Sequence, residues 1–205
     1  MAAVVPYSDH DHLVDADSRL YPDIFRGEAC AWFDSLQQQI DWRSETIKMY
    51  GKKIVVPRLT AFYGDAGIGY RYSGIVHIAQ TWHPLLADLR ERLNQLLDLS
   101  FNSVLANYYR DGTDYMGWHS DDEAELHKQP IIASISLGAE RAFYLRHRES
   151  VYEPYHLSLP SGSLLVMGRS TQRHWQHSLP RRAGIKSARI NLTFRTIDQP
   201  RAGSC

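Results

Sequence analysis

The sequence predicts an α+β domain in which helices come first and support a β-sandwich or jelly roll. Three observations carry that prediction. Two apolar stripes at helical spacing precede residue 100, short β-rich runs follow it, and glycine or proline marks the joints between those runs.

The first twenty residues, with SDHDHLVDAD in their middle, are short of aromatics and rich in Asp. They read as a mobile tail ahead of a single domain over 21–205. His10, Asp11 and His12 could chelate a metal, but a polar terminus lacks the packing that fixes ligands, so the plain tail is preferred. From Gly27 the pattern turns helical, with Trp32, Phe33, Leu36 and Ile40 on one face. Pro84 suits the first turn of a second helix, and Leu86, Leu89, Leu93, Leu96 and Leu97 form its apolar stripe up to Asp98. These leucines read as core. Phe101–Tyr109 is β-rich and ends at Asp111-Gly112, a hairpin-type signal. Ile131–Leu137, Ala142–Leu145, Tyr155–Leu159, Ser163–Met167 and Arg189–Thr196 follow as short strands. Leu137-Gly138, Pro160-Ser161-Gly162 and Gly168 punctuate them, and no repeat or low-complexity segment occurs.

A chain of 205 residues is one domain's worth. With 43% hydrophobic and 22% charged residues it is neither disordered, collagenous nor coiled-coil. Lys plus Arg and Asp plus Glu are 23 each, so any nucleic-acid contact must come from a local patch. Cys30 and Cys205 make no disulfide framework, and the opening MAAVVPYSDH lacks a basic leader region, which points to a reducing cytoplasm, or to a nucleus in a eukaryote. No stretch approaches the ~20 apolar residues of a membrane span. Twelve tyrosines against six phenylalanines, and ten histidines, favour wet aromatic surfaces and metal ligation without identifying either.

The chemistry concentrates in two places. His119 and Asp121, in WHSDDE, stand two apart, and on a strand such positions share a face. A third imidazole returning on a later strand would complete a two-His, one-carboxylate set, the open facial triad of non-haem Fe(II) oxygenases. His177 is the candidate and His174 its rival, which spacing does not exclude. Singly, His119 as a turn cap and His177 as a satisfied structural histidine are the plainer readings. The second place is RINLTFR, where alternation puts Arg189, Asn191, Thr193 and Arg195 on one strand face. Two inward arginines are costly unless an anion meets them, and a dicarboxylate suits their forked donors. An exposed basic strand face is the alternative, and it leaves the metal motif unexplained.

WHSDDE, HWQHSLP and RINLTFR, in that order, resemble the AlkB family of Fe(II)- and 2-oxoglutarate-dependent dioxygenases, in its branch that repairs alkylated nucleic acids. The resemblance extends to PRLTAFYGDAGIGYRYSG and FNSVLANYYRDG and runs from about Pro22 to Ile197. It implies a double-stranded β-helix (jelly-roll) core over 101–197, supported by the N-terminal helices, with a nucleotide-recognition lid over 47–83. It assigns the iron ligands to His119, Asp121 and His177, demoting His174. It assigns 2-oxoglutarate contacts to Asn107, Tyr109, Arg189, Asn191 and Arg195, the two arginines neutralising the two carboxylate ends. On the substrate side it points to Tyr50, Arg58, Tyr70, Tyr72 and Glu123. Tyr70 and Tyr72 would wall a flipped-base pocket with His119 opposite, Glu123 would face a cationic base, and Tyr50 would sit at a hairpin tip that carries a wedge in duplex-acting relatives. Basic residues interleaved with tyrosines in the lid suit phosphate contact and stacking. Arg181, Arg182 and Lys186 form a further basic loop.

The implied activity is oxidative demethylation of bases such as N1-methyladenine and N3-methylcytosine in DNA, with RNA as the alternative polymer. It consumes Fe(II)-activated O2 and 2-oxoglutarate and releases formaldehyde. A monomer without membrane attachment is expected. The rival readings are a jelly-roll oxygenase acting on RNA or protein, and a non-catalytic metal-binding module.

Overall fold

The computed structural model describes residues 16–49, 52–72, 75–123, 125–149 and 153–198, and these form three helices and thirteen strands. β1 (Ser18–Tyr21) leads into α1 (Ala29–Gln39). β2 (Arg43–Met49) pairs with β3 (Lys52–Gly64), β4 (Gly69–Tyr72) pairs with β5 (Ile75–Ile78), and α2 (Pro84–Leu97) follows. The rest comprises β6 (Ser103–Tyr109), β7 (Met116–His119), β8 (Ile132–Gly138), β9 (Arg141–His147), β10 (Tyr155–Leu159), β11 (Ser163–Met167), α3 (Arg169–His174), β12 (Trp175–Leu179) and β13 (Arg189–Arg195).

Seven strands form the major sheet in the order β1-β11-β8-β13-β6-β3-β2, and four form the minor sheet, β10-β9-β12-β7. The quartet β11-β8-β13-β6 faces the minor sheet while the chain crosses between them, which is the double-stranded β-helix. One apolar cluster, with Leu105, Ile132, Leu145, Leu157, Leu165 and Met167, draws on strands of both sheets. A second joins α1 and α2 to the outer face of the major sheet, through Leu36, Leu86, Leu89 and Leu93 against Val104, Ala106, Ile190, Leu192 and Phe194. β13 is buried along its whole length. Its even-numbered residues are hydrophobic and pack toward the helices, so its odd-numbered polar residues turn to the space between the sheets.

Local sequence explains the helix ends. Pro84 opens α2, where its missing N–H costs nothing, and Asp98 closes it in the left-handed conformation at φ 53°, donating its N–H to the Asn94 carbonyl. The leucine stripe is only partly core: Leu86, Leu89 and Leu93 are inaccessible, Leu97 is half-buried and Leu96 faces solvent. Three other expectations change. The described part of the tail belongs to the fold, since β1 pairs with β11 and Asp17 accepts hydrogen bonds from the N–H groups of Ser170 and Thr171. His10, Asp11 and His12 lie outside the described residues. Of the stretch expected as a lid, Leu59–Gly64 of β3 pairs with β6 in the major sheet. Asp111-Gly112 is no hairpin turn: β6 and β7 lie in different sheets, and the turn carries the chain across. Gly112 is needed there for room, since a Cβ would lie 1.8 Å from the Arg182 carbonyl oxygen. Gly138, at φ +85°, turns another such corner, from β8 to β9.

Candidate metal centre and anion pocket

His119 ends β7 directly opposite His177 of β12, so strand pairing alone sets the two imidazoles 4.2 Å apart, centroid to centroid. The Nδ1 of His119 lies 2.9 Å from the Gly117 carbonyl and donates to it, leaving Nε2 for a metal. Asp121 lies past the end of β7, so the alternation expected of His119 and Asp121 on one strand does not hold. A bend brings its carboxylate inward instead, and its N–H donates to Gln172 Oε1 at 2.9 Å. The candidate ligand atoms of His119, Asp121 and His177 lie within 4.8 Å of one another. His174 is elsewhere, parallel to the ring of His147 on the far side of β12.

Electrostatics suit a cation. Burial pushes both imidazoles down, His177 to about 3 with His119 adding to the effect, so both present free lone pairs. Burial would raise the Asp121 carboxyl, but Arg195, His177 and His119 together hold it below the usual carboxylate range. Arg195 Nη2 donates to Asp121 Oδ1 at 2.5 Å, while Oδ2 stands 3.7 Å from His177 Nε2, too far for a hydrogen bond. Two neutral imidazoles and one carboxylate, converging without bonding one another, fit a facial Fe(II) site.

The pocket continues between the sheets along β13, lined by Asn107, Tyr109, Ser134, Arg189, Asn191 and Thr193 among others. Arg189 is its deep end. It is 2% exposed, donates to Ser136 Oγ at 2.8 Å, bonds Tyr109 and lies 5.4 Å from that ring's centroid. Burial, with the nearby Arg141 cation, lowers its pKa to about 10. Its Nε has no partner, and among the described residues no carboxylate pairs with it. An anion fits that vacancy in the bonding pattern. Asn107 lines the pocket with its Oδ1 accepting from Arg58 Nε at 2.7 Å. Asn191 also lines it, yet both amide protons go to Ser134 Oγ and the Ile135 carbonyl, which leaves none for a ligand. Arg195 sits at the metal end and contacts Asp121 and Glu123.

The expected substrate residues divide. Glu123 is beside the metal centre, 3.5 Å from Arg195, with Oε2 buried and unpartnered; burial raises its pKa against the pull of Arg195. Arg58, expected on the substrate side, is 3% exposed and donates through Nε to Asn107 Oδ1 beside the pocket. Tyr50 lies outside the described residues. The backbone of β4 carries Tyr70 and Tyr72, but their side chains lie outside the description as well. Arg182 is occupied by Tyr144, whose hydroxyl it contacts at 2.6 Å, and Lys186 by the Ala183 carbonyl.

Two residues escaped the sequence reading. Arg141, 1% exposed, donates to the carbonyls of Asp111, Asp114 and Pro180 and packs on the Tyr109 ring. Gln172, 2% exposed, holds the Asp121 backbone. Neither belongs to a motif, and their partners are backbone groups distant in sequence.

The model of the 2OG-Fe(II) oxygenase superfamily matches residues 18–195. The chain is 41% identical over 182 residues to the DNA oxidative demethylase ALKBH2 of Mus musculus, covering 84% of this chain and 76% of that protein. It is 37% identical over 188 residues to the alpha-ketoglutarate-dependent dioxygenase alkB homolog 3 of Homo sapiens, covering 87% and 65%. Among solved structures, OsALKBH1 superposes with a TM-score of 0.62 at 18% identity, covering 88% of this chain and 97% of that one, a likeness of fold.

Proposed function

The chain belongs to the 2OG-Fe(II) oxygenase superfamily and, within it, to the AlkB family, and on that premise we propose that it oxidatively removes methyl groups from alkylated bases in DNA. One observation supports this most. The convergence of His119, Asp121 and His177 opens into a pocket whose far end is a buried guanidinium with no counter-charge among the described residues.

His119, Asp121 and His177 would hold Fe(II), and Arg189 with Tyr109 the distal carboxylate of 2-oxoglutarate. When bound, these groups and O2 supply an oxidation of the methyl C–H that is coupled to decarboxylation of 2-oxoglutarate to succinate and ends in formaldehyde and the restored base. The chain's own work is placement and charge. Arg195 fixes Asp121 and keeps it ionised, and the Gly117 carbonyl fixes the His119 tautomer. Phe143 stacks on His177 at 5.2 Å and shields that ligand from water. Glu123, beside the metal centre, offers a carboxylate to a positively charged methylated base such as N1-methyladenine or N3-methylcytosine. Tyr50, Tyr70 and Tyr72 remain the proposed wedge and walls of the base site.

We take DNA rather than RNA as the polymer and a monomer as the working unit. The exposed thiol of Cys30 suits a reducing compartment, the cytoplasm or the nucleus. Among the described residues no helix is long and apolar enough to cross a membrane.

The test is formaldehyde release and loss of the methyl mass from N1-methyladenine or N3-methylcytosine oligonucleotides, single-stranded and duplex, with Fe(II) and 2-oxoglutarate. Turnover is expected in the native chain and is abolished by His119→Ala. Conversion of 2-oxoglutarate to succinate without demethylation of any oligonucleotide would overturn the substrate assignment.

A further inference from the structure

Next to the metal centre lies a second cleft, about 430 Å³, which apart from Glu123 and Gln172 is lined by residues with no role in the sites described above. Glu123 and Gln172 stand at its inner end, and Lys128, Arg169 and Arg173 line its walls. It shares His127 and Arg169 with a larger cleft of about 830 Å³ that continues to Arg19 on β1, so the two form one trough leading away from the metal centre.

The polar groups of this trough are out of balance. Lys128, Arg169 and Arg173 are exposed, and none has a hydrogen-bond or ion-pair partner among the described residues. Two neighbouring acids are already engaged: Asp122 pairs with Arg148 at 2.7 Å, and Asp17 is taken up by Ser170 and Thr171 of α3, while Glu123 at the inner end faces Arg195 at 3.5 Å through Oε1. At the inner end Gln172 is 2% exposed, and its amide Nε2 has no partner among the described residues although Oε1 is fixed by Asp121. A buried donor without an acceptor, beneath three uncompensated cations, is a seat for an anion with several acceptor oxygens. The trough starts at Glu123, where a methylated base would enter, so the anion that belongs there is the chain of phosphates flanking that base.

We propose that this trough binds the phosphodiester backbone of a single nucleic-acid strand on one side of the extruded base, with Gln172, Lys128, Arg173 and Arg169 as successive contacts. A concave, cationic path suits one strand, because a duplex presents its phosphates on two separated ridges. The inference rests on the nucleic-acid reading above and adds a strand preference and a direction of exit.

The experiment measures binding of an unmodified, fluorescein-labelled single strand of about 15 nucleotides by anisotropy across a salt series. The comparison is between the native chain and the combined Lys128→Gln, Arg169→Gln and Arg173→Gln variant. Affinity is expected to fall about tenfold or more, and the slope of log K against log salt to flatten by about 2. Duplex of the same length should lose less. The advantage of a long methylated strand over a methylated trinucleotide, in kcat/KM, should shrink in the variant. Gln172→Glu keeps an oxygen toward the Asp121 N–H and replaces the free donor with a charge, and it should weaken single-strand binding further. Unchanged affinity and slope in the triple variant would overturn the trough, and an equal loss on duplex would overturn its strand preference. Binding needs no turnover, so a native chain that binds single strands here yet demethylates none would sink the demethylase reading and leave the trough standing.

Discussion

Arg189 and Arg195 stand six residues apart on the same face of the same strand, and both are nearly inaccessible. What surrounds them differs. Arg195 meets Asp121 at 2.5 Å and Glu123 at 3.5 Å, whereas Arg189 meets a hydroxyl, a phenol ring and a second cation, Arg141. A buried charge with its counter-charge built in is part of the protein's own framework. A buried charge without one is held at a cost that only a ligand offsets. The strand thus carries two identical side chains with opposite thermodynamic roles, one fixing the metal end and one awaiting an anion.

The sharpest way to break this contrast is Arg195→Met. It leaves Asp121 buried without its cation, and that should destabilise the fold by about 3–5 kcal/mol, read as a lower denaturant midpoint, together with loss of metal affinity. Arg189→Met should do the reverse: apo stability unchanged or raised, and 2-oxoglutarate affinity down by about 10- to 150-fold, since a charge-assisted fork contributes about 1.5–3 kcal/mol. Calorimetric titration of the Mn(II)-loaded protein would check the second, and equal destabilisation by both substitutions would erase the distinction. Proton linkage sharpens it further. The free Arg189 has a pKa of about 10, and 2-oxoglutarate prefers the charged form, so its affinity should be flat from neutral pH upward and weaken only above about 10. The smallest effect on the co-substrate is expected for Asn191→Ala, between the two arginines. Its amide serves Ser134 and Ile135, so stability should drop by about 1–3 kcal/mol while 2-oxoglutarate affinity moves little.

The alternation Arg189–Arg195 was legible because a strand's period is 2, and the packing of Ile190, Leu192 and Phe194 on the helices fixes which face is which. Tyr155–Leu159 and Ser163–Met167 were legible to the residue, bounded by Pro160, Gly162 and Gly168. What stayed hidden depends on distant partners. Asp121 turns inward through a bend held by Gln172, and α3, a short polar helix, depends on Asp17 from 154 residues upstream. β3 fell within the expected lid because the family resemblance put a lid over 47–83, and its basic residues and tyrosines suited phosphate contact and stacking. In the fold, Tyr63 is buried where β3 pairs with β6, and Arg58, just ahead of that paired stretch, is buried with its Nε donating to Asn107 Oδ1.

Arg141 joins two loops that have no strand in common. Its guanidinium gathers carbonyls from Asp111, Asp114 and Pro180, and the same loops exchange backbone hydrogen bonds between Gly112, Arg182 and Ile185. One loop leads into the strand of His119 and the other leaves the strand of His177. Neither can open alone without stranding a buried cation, so the two should behave as one cooperative unit in native-state hydrogen exchange. The amides of Gly112, Arg182 and Ile185 are then expected to exchange with a common opening free energy, and a single ligand at the deep end of the pocket would slow all three together.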